Sequence, residues 1–483
     1  MMTREEILAV YEAGPDAVVT LVQSLFTQFE AQVQALNERV RELEIRLAKD
    51  SHNSHKPPSS DEPTFRRGAR KSLRKRSGKK PGGQPGHRGC TRLQVEAPDA
   101  VHLHVPDNCA RCGDDLQGVE SLLGQRRQVF DLPPLRLRVQ EHQAHDRRCP
   151  GCGHTTRAAF PKGVDEPVQY GPGLLGLGLY LQHYQLLPYG RAAGLIGDLF
   201  GQTPSQGTLA HALEQAHERL EPVERQIHKG LRKSPSVHLD ETGLRIASTR
   251  QWVHSAGTPT LTLYRAHPKR GREAIDAMGV LPGYKGVSIH DAYTSYLSYS
   301  GRHALCNAHL LRELVAVEEE TQAAWAAPMR ELLLEIKAAA AQARAANVAE
   351  LEPAQIQAFR ARYDVLLRQG EAAHPASPPT GRAGRRKQSP AYNLVLRLHK
   401  RADQVLAFMY DIAIPFDNNL AERDLRMLKT QQKISGGFRS RSGADVFCRI
   451  RSYISTVRKQ RLPLLDALRS VFSGAPMVPC CDS

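Results

Sequence analysis

The stretch that decides the fold is Ser236-Val-His-Leu-Asp-Glu-Thr-Gly-Leu-Arg-Ile246. Residues 171–235 have helical spacing, and at 236 the apolar period drops to two. Side chains alternate across a strand and recur every three to four along a helix, so the change marks a sheet. Two further runs, Gln251–Ala256 and Thr260–Ala266, follow across Ser/Thr/Gly turns and predict an antiparallel meander. Helical spacing returns at Arg272–Met278. Gly286-Val-Ser-Ile-His-Asp291 reads as a fourth strand and His303–Ala308 as a fifth, with a helix starting near His309.

Three antiparallel strands, a helix, a strand, a helix and a strand is the order of a ribonuclease-H-like core. In such a sheet the first and fourth strands are neighbours. Asp240 lies on the first and Asp291 at the C-terminal end of the fourth, so the two carboxylates are expected to converge. Buried strand acids are costly unless they bind metal or pair. Glu241 is the rival, but alternation sends it to the opposite face. A third acid is then needed on a nearby helix. Residues 316–400 read as an Ala- and Glu-rich helical insertion with a basic Pro/Gly loop. After it comes Asp417-Asn-Asn-Leu-Ala-Glu422-Arg-Asp-Leu-Arg426, with Asp417 as the expected helix cap. Glu422, Arg426, Lys429 and Lys433 fall on one helical face. They form either a carboxylate leading a DNA-facing basic stripe or a salt-bridged surface. Gly436-Gly437 ends the helix, and Arg439, Arg441, Arg449, Arg451, Arg458, Lys459 and Arg461 follow.

Working towards the N-terminus, Tyr189–Leu213 has helix-turn-helix spacing. One helix, 190–200, ends at Gly201, and Gln202-Thr-Pro204 leads to Ser205 as cap of a second. Gly171-Pro-Gly-Leu-Leu-Gly176 matches GxGxxG in form only, because no strand precedes it and no acid stands where a ribose needs one. Cys109-Ala-Arg-Cys112-Gly and Cys149-Pro-Gly-Cys152-Gly form two matched knuckles, the pattern of a closed structural Zn²⁺ site. Between them, Arg126–Leu132 and Leu135–Glu141 alternate like strands about Pro133-Pro134. Cys90, Cys306, Cys448, Cys480 and Cys481 have no such spacing and read as core or surface thiols.

The first segment carries a heptad repeat. Val19, Phe26, Val33, Val40 and Leu47 occupy one position, and Val22, Phe29, Leu36 and Leu43 the other, which predicts a parallel coiled coil. Behind it, residues 51–89 hold five Pro, six Gly and one aromatic residue, and cannot form a core. Their centre carries Arg66, Arg67, Arg70, Lys71, Arg74, Lys75, Arg76, Lys79 and Lys80 with no acid. This reads as a flexible arm for a nucleic-acid backbone, with salt-dependent affinity.

The whole chain has 483 residues, 41% hydrophobic, with a formal charge of +16. That excludes a wholly disordered protein, and no apolar run reaches the ~20 residues of a membrane span. No secretory signal is read, so a cytoplasmic, nucleoid-associated protein with metal-ligating rather than disulfide-bonded cysteines is expected. The predicted class is therefore multidomain α/β. Its segments are a leucine-zipper-like coiled coil (1–50), a basic linker (51–95), a zinc-binding domain (96–165) and a helical, helix-turn-helix-like region (166–232). The ribonuclease-H-like core comes in two parts (233–315 and 401–445) around the insertion (316–400), and a basic C-terminal region (446–483) closes the chain.

In this order the motifs resemble the transposases of the insertion sequence 66 family, bacterial DDE-type enzymes. The resemblance runs over nearly the whole chain. It takes in the zipper-like helix, Asn53-Ser-His-Lys-Pro-Pro-Ser-Ser-Asp61, Gly82-Gly-Gln-Pro-Gly-His87 and the paired CxxC element. It continues with Asp240-Glu-Thr242, His290-Asp-Ala292, Cys306-Asn-Ala-His309, and Asp417-Asn-Asn419 with Ala421-Glu-Arg423. Departures are confined to Asn307, often aromatic in the family, and His55, often Ser. The resemblance implies that Asp240, Asp291 and Glu422 hold two Mg²⁺ ions about 3.5–4 Å apart. It implies cleavage at the terminal inverted repeats of an element and attack of the freed 3′-OH on target DNA, with His309 and Arg312 near the scissile phosphate. It also implies a homodimer or higher assembly and accessory proteins of the same element. Two other readings remain: a zinc-containing DNA-binding regulator with a degenerate core, and a nuclease of the same fold without strand transfer.

Overall fold

The computed structural model describes residues 3–47, 92–377 and 388–481. The nine arm cations from Arg66 to Lys80, and Cys90, lie outside the described residues. The described residues fall into two units. One holds 3–47, 161–195, 203–377 and 388–481; the other holds 92–160 and 196–202.

The chain opens with helices α1 (Arg4–Glu12) and α2 (Pro15–Leu47). Thr3 and Glu6 close a capping box over α1, and Gly14, at φ +107°, breaks the single helix expected here. The heptad residues of α2 are exposed in the single chain, Phe26 by 64% and Phe29 by 63%. Next come the short antiparallel strands β1 (Asp146–Arg148) and β2 (Thr155–Arg157). The runs 126–132 and 135–141 do not become strands. Their apolar residues, such as Val129 and Val139, face solvent with no second layer to cover them.

Helices α3 (Pro172–Leu179), α4 (Tyr189–Phe200), α5 (Gln206–Arg219) and α6 (Glu221–Lys233) follow. Ser205 caps α5 through the Thr208 N–H at 3.0 Å, and Gly201 ends α4 at φ +73°. Gly176 of the GxGxxG-like run has a packing role. A Cβ there would stand 2.8 Å from the Arg469 backbone nitrogen.

Five strands form the central sheet: β3 (Ser236–Ile246), β4 (Thr249–Gly257), β5 (Thr262–His267), β6 (Val287–His290) and β7 (Arg302–Leu305). Their order is β5-β4-β3-β6-β7. The first three are antiparallel, while β3–β6 and β6–β7 are parallel, with His238 opposite Ile289. The first and fourth strands are thus neighbours, as predicted. Helix α7 (Arg272–Met278) crosses between β5 and β6. Between β6 and β7 the sequence order called for a helix; only one 3₁₀ turn, Tyr296–Ser298, is present, because the connection is short.

Helices α8 (Asn307–Thr321), α9 (Ala326–Ala345), α10 (Pro353–Ala373), α11 (Pro390–Lys400), α12 (Ala402–Val405) and α13 (Ala407–Tyr410) build one core against β6 and β7, with Trp325, Phe359 and Phe408 inside. The last helices are α14 (Asn419–Ser435), α15 (Arg441–Lys459) and α16 (Leu464–Phe472). On one sheet face Leu244, Ile246 and Val253 pack on Leu425 and Leu428 of α14. On the other, Val237 and Leu239 meet α6 and α7. Alternation along β3 separates these two layers.

Helix α15 covers the edge strand β5. The N–H groups of Thr262 and Tyr264 donate to Thr456 Oγ1 (3.0 Å) and Ser452 Oγ (2.8 Å). An open strand edge is a pairing hazard, and here helical hydroxyls satisfy it. This corrects the reading of residues 446–483 as a basic surface around the carboxylates. Arg449 pairs with Glu224 at 2.9 Å and Arg451 donates to His183 O at 2.8 Å. Lys459 reaches Asp424 Oδ2 (2.7 Å), Thr258 O (2.8 Å) and Leu261 O (3.0 Å). Lys459 and Asp424 are only 16% and 13% exposed. Removing the cation strands a mostly buried carboxylate and two carbonyls. Lys459→Met is therefore expected to cost about 3 kcal/mol in chemical denaturation, and Asp424→Asn in that background to recover part of the loss. An unchanged midpoint would sink this account.

Candidate active site

Asp240 lies in the middle of β3, and the hydrogen bonds of the Asp240–Ser255 pair fix its place in the sheet. Its Oδ1 accepts the Glu241 N–H at 2.8 Å. Burial, then the neighbouring charges of Glu241 and Asp291, push its carboxyl well above the ordinary range; Glu422 adds to the push. Asp291 follows the last residue of β6. There the chain turns through Ala292 at φ +70°, and the Asp291 carboxylate accepts the Tyr293 N–H at 3.1 Å.

A histidine relay supports that turn. His290 is fully buried and its pKa falls to about 3, first through burial, so its ring is neutral. Its Nδ1 accepts the Ala292 N–H, so its proton sits on Nε2 and is donated to His303 Nδ1 at 2.9 Å. His303 Nε2 then donates to Tyr299 O at 3.0 Å.

Glu241 takes the opposite face, as alternation predicts. Its side chain is 1% exposed, and its Oε1 lies 2.8 Å from Arg270. Its Oε2 accepts the Tyr296 hydroxyl.

Glu422 stands in the first turn of α14, 3.2 Å from His309 Nε2 and 3.7 Å from Arg312. The His309 hydrogen bond, then the charges of His309, Arg312 and Arg426, hold its carboxyl below the usual value. His309 and Arg312, expected at a phosphate, are thus engaged with the third acid. Asp417 is not the helix cap. Asn418 holds that position, and Asp417 Oδ1 accepts only the Asn419 N–H at 3.2 Å. The Asn418 side chain is used elsewhere. Its Oδ1 accepts from His238 Nδ1 (2.9 Å), and its Nδ2 donates to Leu239 O (2.7 Å). Its backbone N–H meets Cys306 Sγ at 3.1 Å, where burial pushes the thiol up to about 12. Sequence reading took Cys306 for a core thiol and missed these positioning roles. The Asp417-Asn-Asn motif was the available signal.

Lys429 reaches Gly243 O at 3.4 Å and feels both Arg250 and Asp240. Arg426 and Lys433 are exposed on the same helix. The structure therefore brings Asp240, Asp291 and Glu422 into one electrostatic neighbourhood. It does not bring them to a common ligand distance. Among the described residues, the one group of three metal-capable atoms within 4.8 Å is Cys306, His309 and Glu422. The donor set still fits a hard divalent cation, since Asp240 carries uncompensated repulsion from Asp291 and Glu241 that such an ion would relieve.

In the other unit both cysteine knuckles are formed. Cys109 N donates to Asp114 O, and Gly113 N donates back to Cys109 O; Cys149 N donates to His154 O, and Gly153 N to Cys149 O. Gly113 and Gly153 take φ +82° and +71°, the turn that glycine permits. Backbone N–H groups of Cys112 and Arg111 lower the Cys109 thiol to about 7, and those of Cys152 and Gly151 lower Cys149. Depressed thiols at two knuckles suit Zn²⁺. The four sulfurs are not gathered into one such group among the described residues.

Residues 167–446 match the transposase IS66 family. Residues 106–153 match the zinc-finger binding domain of transposase IS66, and 11–93 match a family of unknown function (DUF6444). No curated protein matches the chain.

The raised carboxyl of Asp240 has a consequence for stability. Its ionised form is penalised in the fold, so the penalty is absent below the unfolded value near 3.8 and grows as pH rises through the folded one. Metal-free Asp240→Asn should therefore unfold at higher denaturant than the parent at pH 7, with the gain shrinking as pH falls toward 4. A variant less stable than the parent at neutral pH would contradict the crowding of charge.

Proposed function

The chain belongs to the IS66 family of transposases, and from that premise we propose that it cuts the ends of a mobile DNA element and joins each freed 3′-OH to target DNA. The observation that carries this reading is the convergence of Asp240 and Asp291 from adjacent strands with Glu422 in the first turn of α14. In this reading the sheet is a ribonuclease-H-like core, and its order with β3 beside β6 supports that.

Asp240, Asp291 and Glu422 would hold Mg²⁺, which supplies charge for the attacking and leaving oxygens of phosphoryl transfer. The chain's own groups do the rest. His309 and Arg312 hold Glu422 ionised, and both can donate to a phosphate oxygen. Arg426, Lys429 and Lys433 line the α14 face where the backbone would run. Ser205-capped α5 is the recognition helix of the helix-turn-helix reading. The arm of Arg66, Arg67, Arg70, Lys71, Arg74, Lys75, Arg76, Lys79 and Lys80 grips DNA without reading it. The exposed heptad face of α2 pairs with a second copy, placing two active sites on two element ends. Cys109, Cys112, Cys149 and Cys152 hold structural Zn²⁺. Terminal repeats, target DNA and accessory proteins of the same element are the partners, in the bacterial cytoplasm at the nucleoid.

The test is a Mg²⁺-dependent cleavage and strand-transfer assay on the DNA flanking the gene. Asp240→Asn, Asp291→Asn and Glu422→Gln should each lower cleavage by at least about a hundredfold and leave DNA binding nearly intact. Full activity in any one removes that residue from the site. Cutting without joining favours a nuclease, and metal-independent binding without cutting favours a regulator. Separately, Cys112→Ser should purify without zinc and lose stability; unchanged zinc content refutes the four-cysteine site.

A further inference from the structure

Four flat side chains line a surface beside the carboxylates. Trp252 of β4 stands opposite Gly243 of β3. With no Cβ at Gly243, the Arg250 guanidinium and the indole settle over the strand, 3.3 and 3.6 Å from where that atom would be. The guanidinium carbons of Arg250 and Arg270 lie 5.0 and 4.9 Å from the Trp252 ring centroid. Arg270 also lies 4.1 Å from the Tyr293 ring. It is fixed there by the buried Glu241, itself held by Tyr296. Tyr293 is two residues past Asp291 and donates its N–H to that carboxylate. Arg250 is exposed, and no carboxylate pairs with it among the described residues.

We propose that Arg250, Trp252, Arg270 and Tyr293 form a stacking platform for unpaired nucleotides of the DNA strand held at Asp240 and Asp291. The proposal rests on the reading of those acids as the cutting centre. A paired duplex presents phosphates and groove edges and hides its base faces. Aromatic rings and guanidinium planes read base faces, whatever the sequence, and the two cations also meet the backbone. Glu241 neutralises Arg270 without moving it from the rings, so Arg270 serves as a rigid plate, while Arg250 keeps its charge for phosphate.

The chain has two tryptophans, and the other, Trp325, is 2% exposed. Indole emission therefore reports on Trp252. The full chain, in metal-free buffer so that no strand is cut, is titrated with a twelve-nucleotide oligo(dT) and with a blunt duplex of equal length. The single strand should quench the emission saturably, and the duplex should hardly change it. Trp252→Leu should abolish the quench and weaken single-strand binding, read by anisotropy, about tenfold, with an unchanged far-ultraviolet circular dichroism spectrum. Arg270→Gln, which keeps both rings, should weaken single-strand binding in the same direction. Binding of the single strand with unchanged emission, or with full affinity in Trp252→Leu, overturns the platform. The cleavage assay keeps the two readings apart. No quench while Asp240→Asn abolishes cutting removes the platform alone; unimpaired cutting by Asp240→Asn removes the catalytic reading and the platform's role with it.

Discussion

The geometry of the site depends on one buried amide. Asn418 is 2% exposed and ties three elements together. Its side chain joins His238 and Leu239 of β3, and its N–H joins Cys306 at the start of α8. Each element delivers a functional group: Asp240 from β3, His309 and Arg312 from α8, and Glu422 from α14. A buried polar group with half its partners is costly, so the three bonds hold as a set. Asn307 reinforces the joint, its N–H bonding Phe416 O at 3.1 Å and its Nδ2 bonding Val405 O at 3.0 Å. Position is thus fixed by neutral hydrogen bonds. The carboxylates themselves, which must tolerate changes of charge, hold nothing together except Glu241.

That exception follows from the strand period. Asp240 and Glu241 are consecutive, so they face opposite layers. Asp240 faces the α14 side with little to neutralise it. Glu241 faces the α7 side and is fully engaged by Arg270 and Tyr296. Two adjacent acids of similar chemistry therefore do different work, one available to a cation and one used as an anchor.

Much of this was legible in the sequence. The period change at Ser236 located the sheet, and the order of strands put Asp240 beside Asp291, because period and order are local properties. The opposite placement of Glu241 followed from the same rule. What escaped were long-range polar partners. Nothing local says that Asn418 will find His238, 180 residues away, or that Ser452 and Thr456 will cap the edge of β5. The cations of α15 were misread for the same reason. Counting charge cannot tell Arg449, paired to Glu224 inside the fold, from Arg426, exposed on α14. The strand-like runs at 126–141 failed differently: alternation predicts a strand only where a second layer exists to bury one face.

The remaining charge has a direction. Glu422 already has His309, Arg312 and Arg426 around it, and its carboxyl is held down. Asp240 has Asp291, Glu241 and Glu422 around it, and its carboxyl is pushed up. The nearby cation, Lys429, is itself lowered by burial and by Arg250. The deficit of positive charge therefore lies on the strand side of the site, between β3 and β6, and not on the helix side. An incoming cation gains most beside Asp240 and Asp291. An incoming phosphate finds its donors already assembled beside Glu422. This polarity orients a phosphodiester across the site before any metal or base is considered, and it rests on which acid Asn418 leaves on which side.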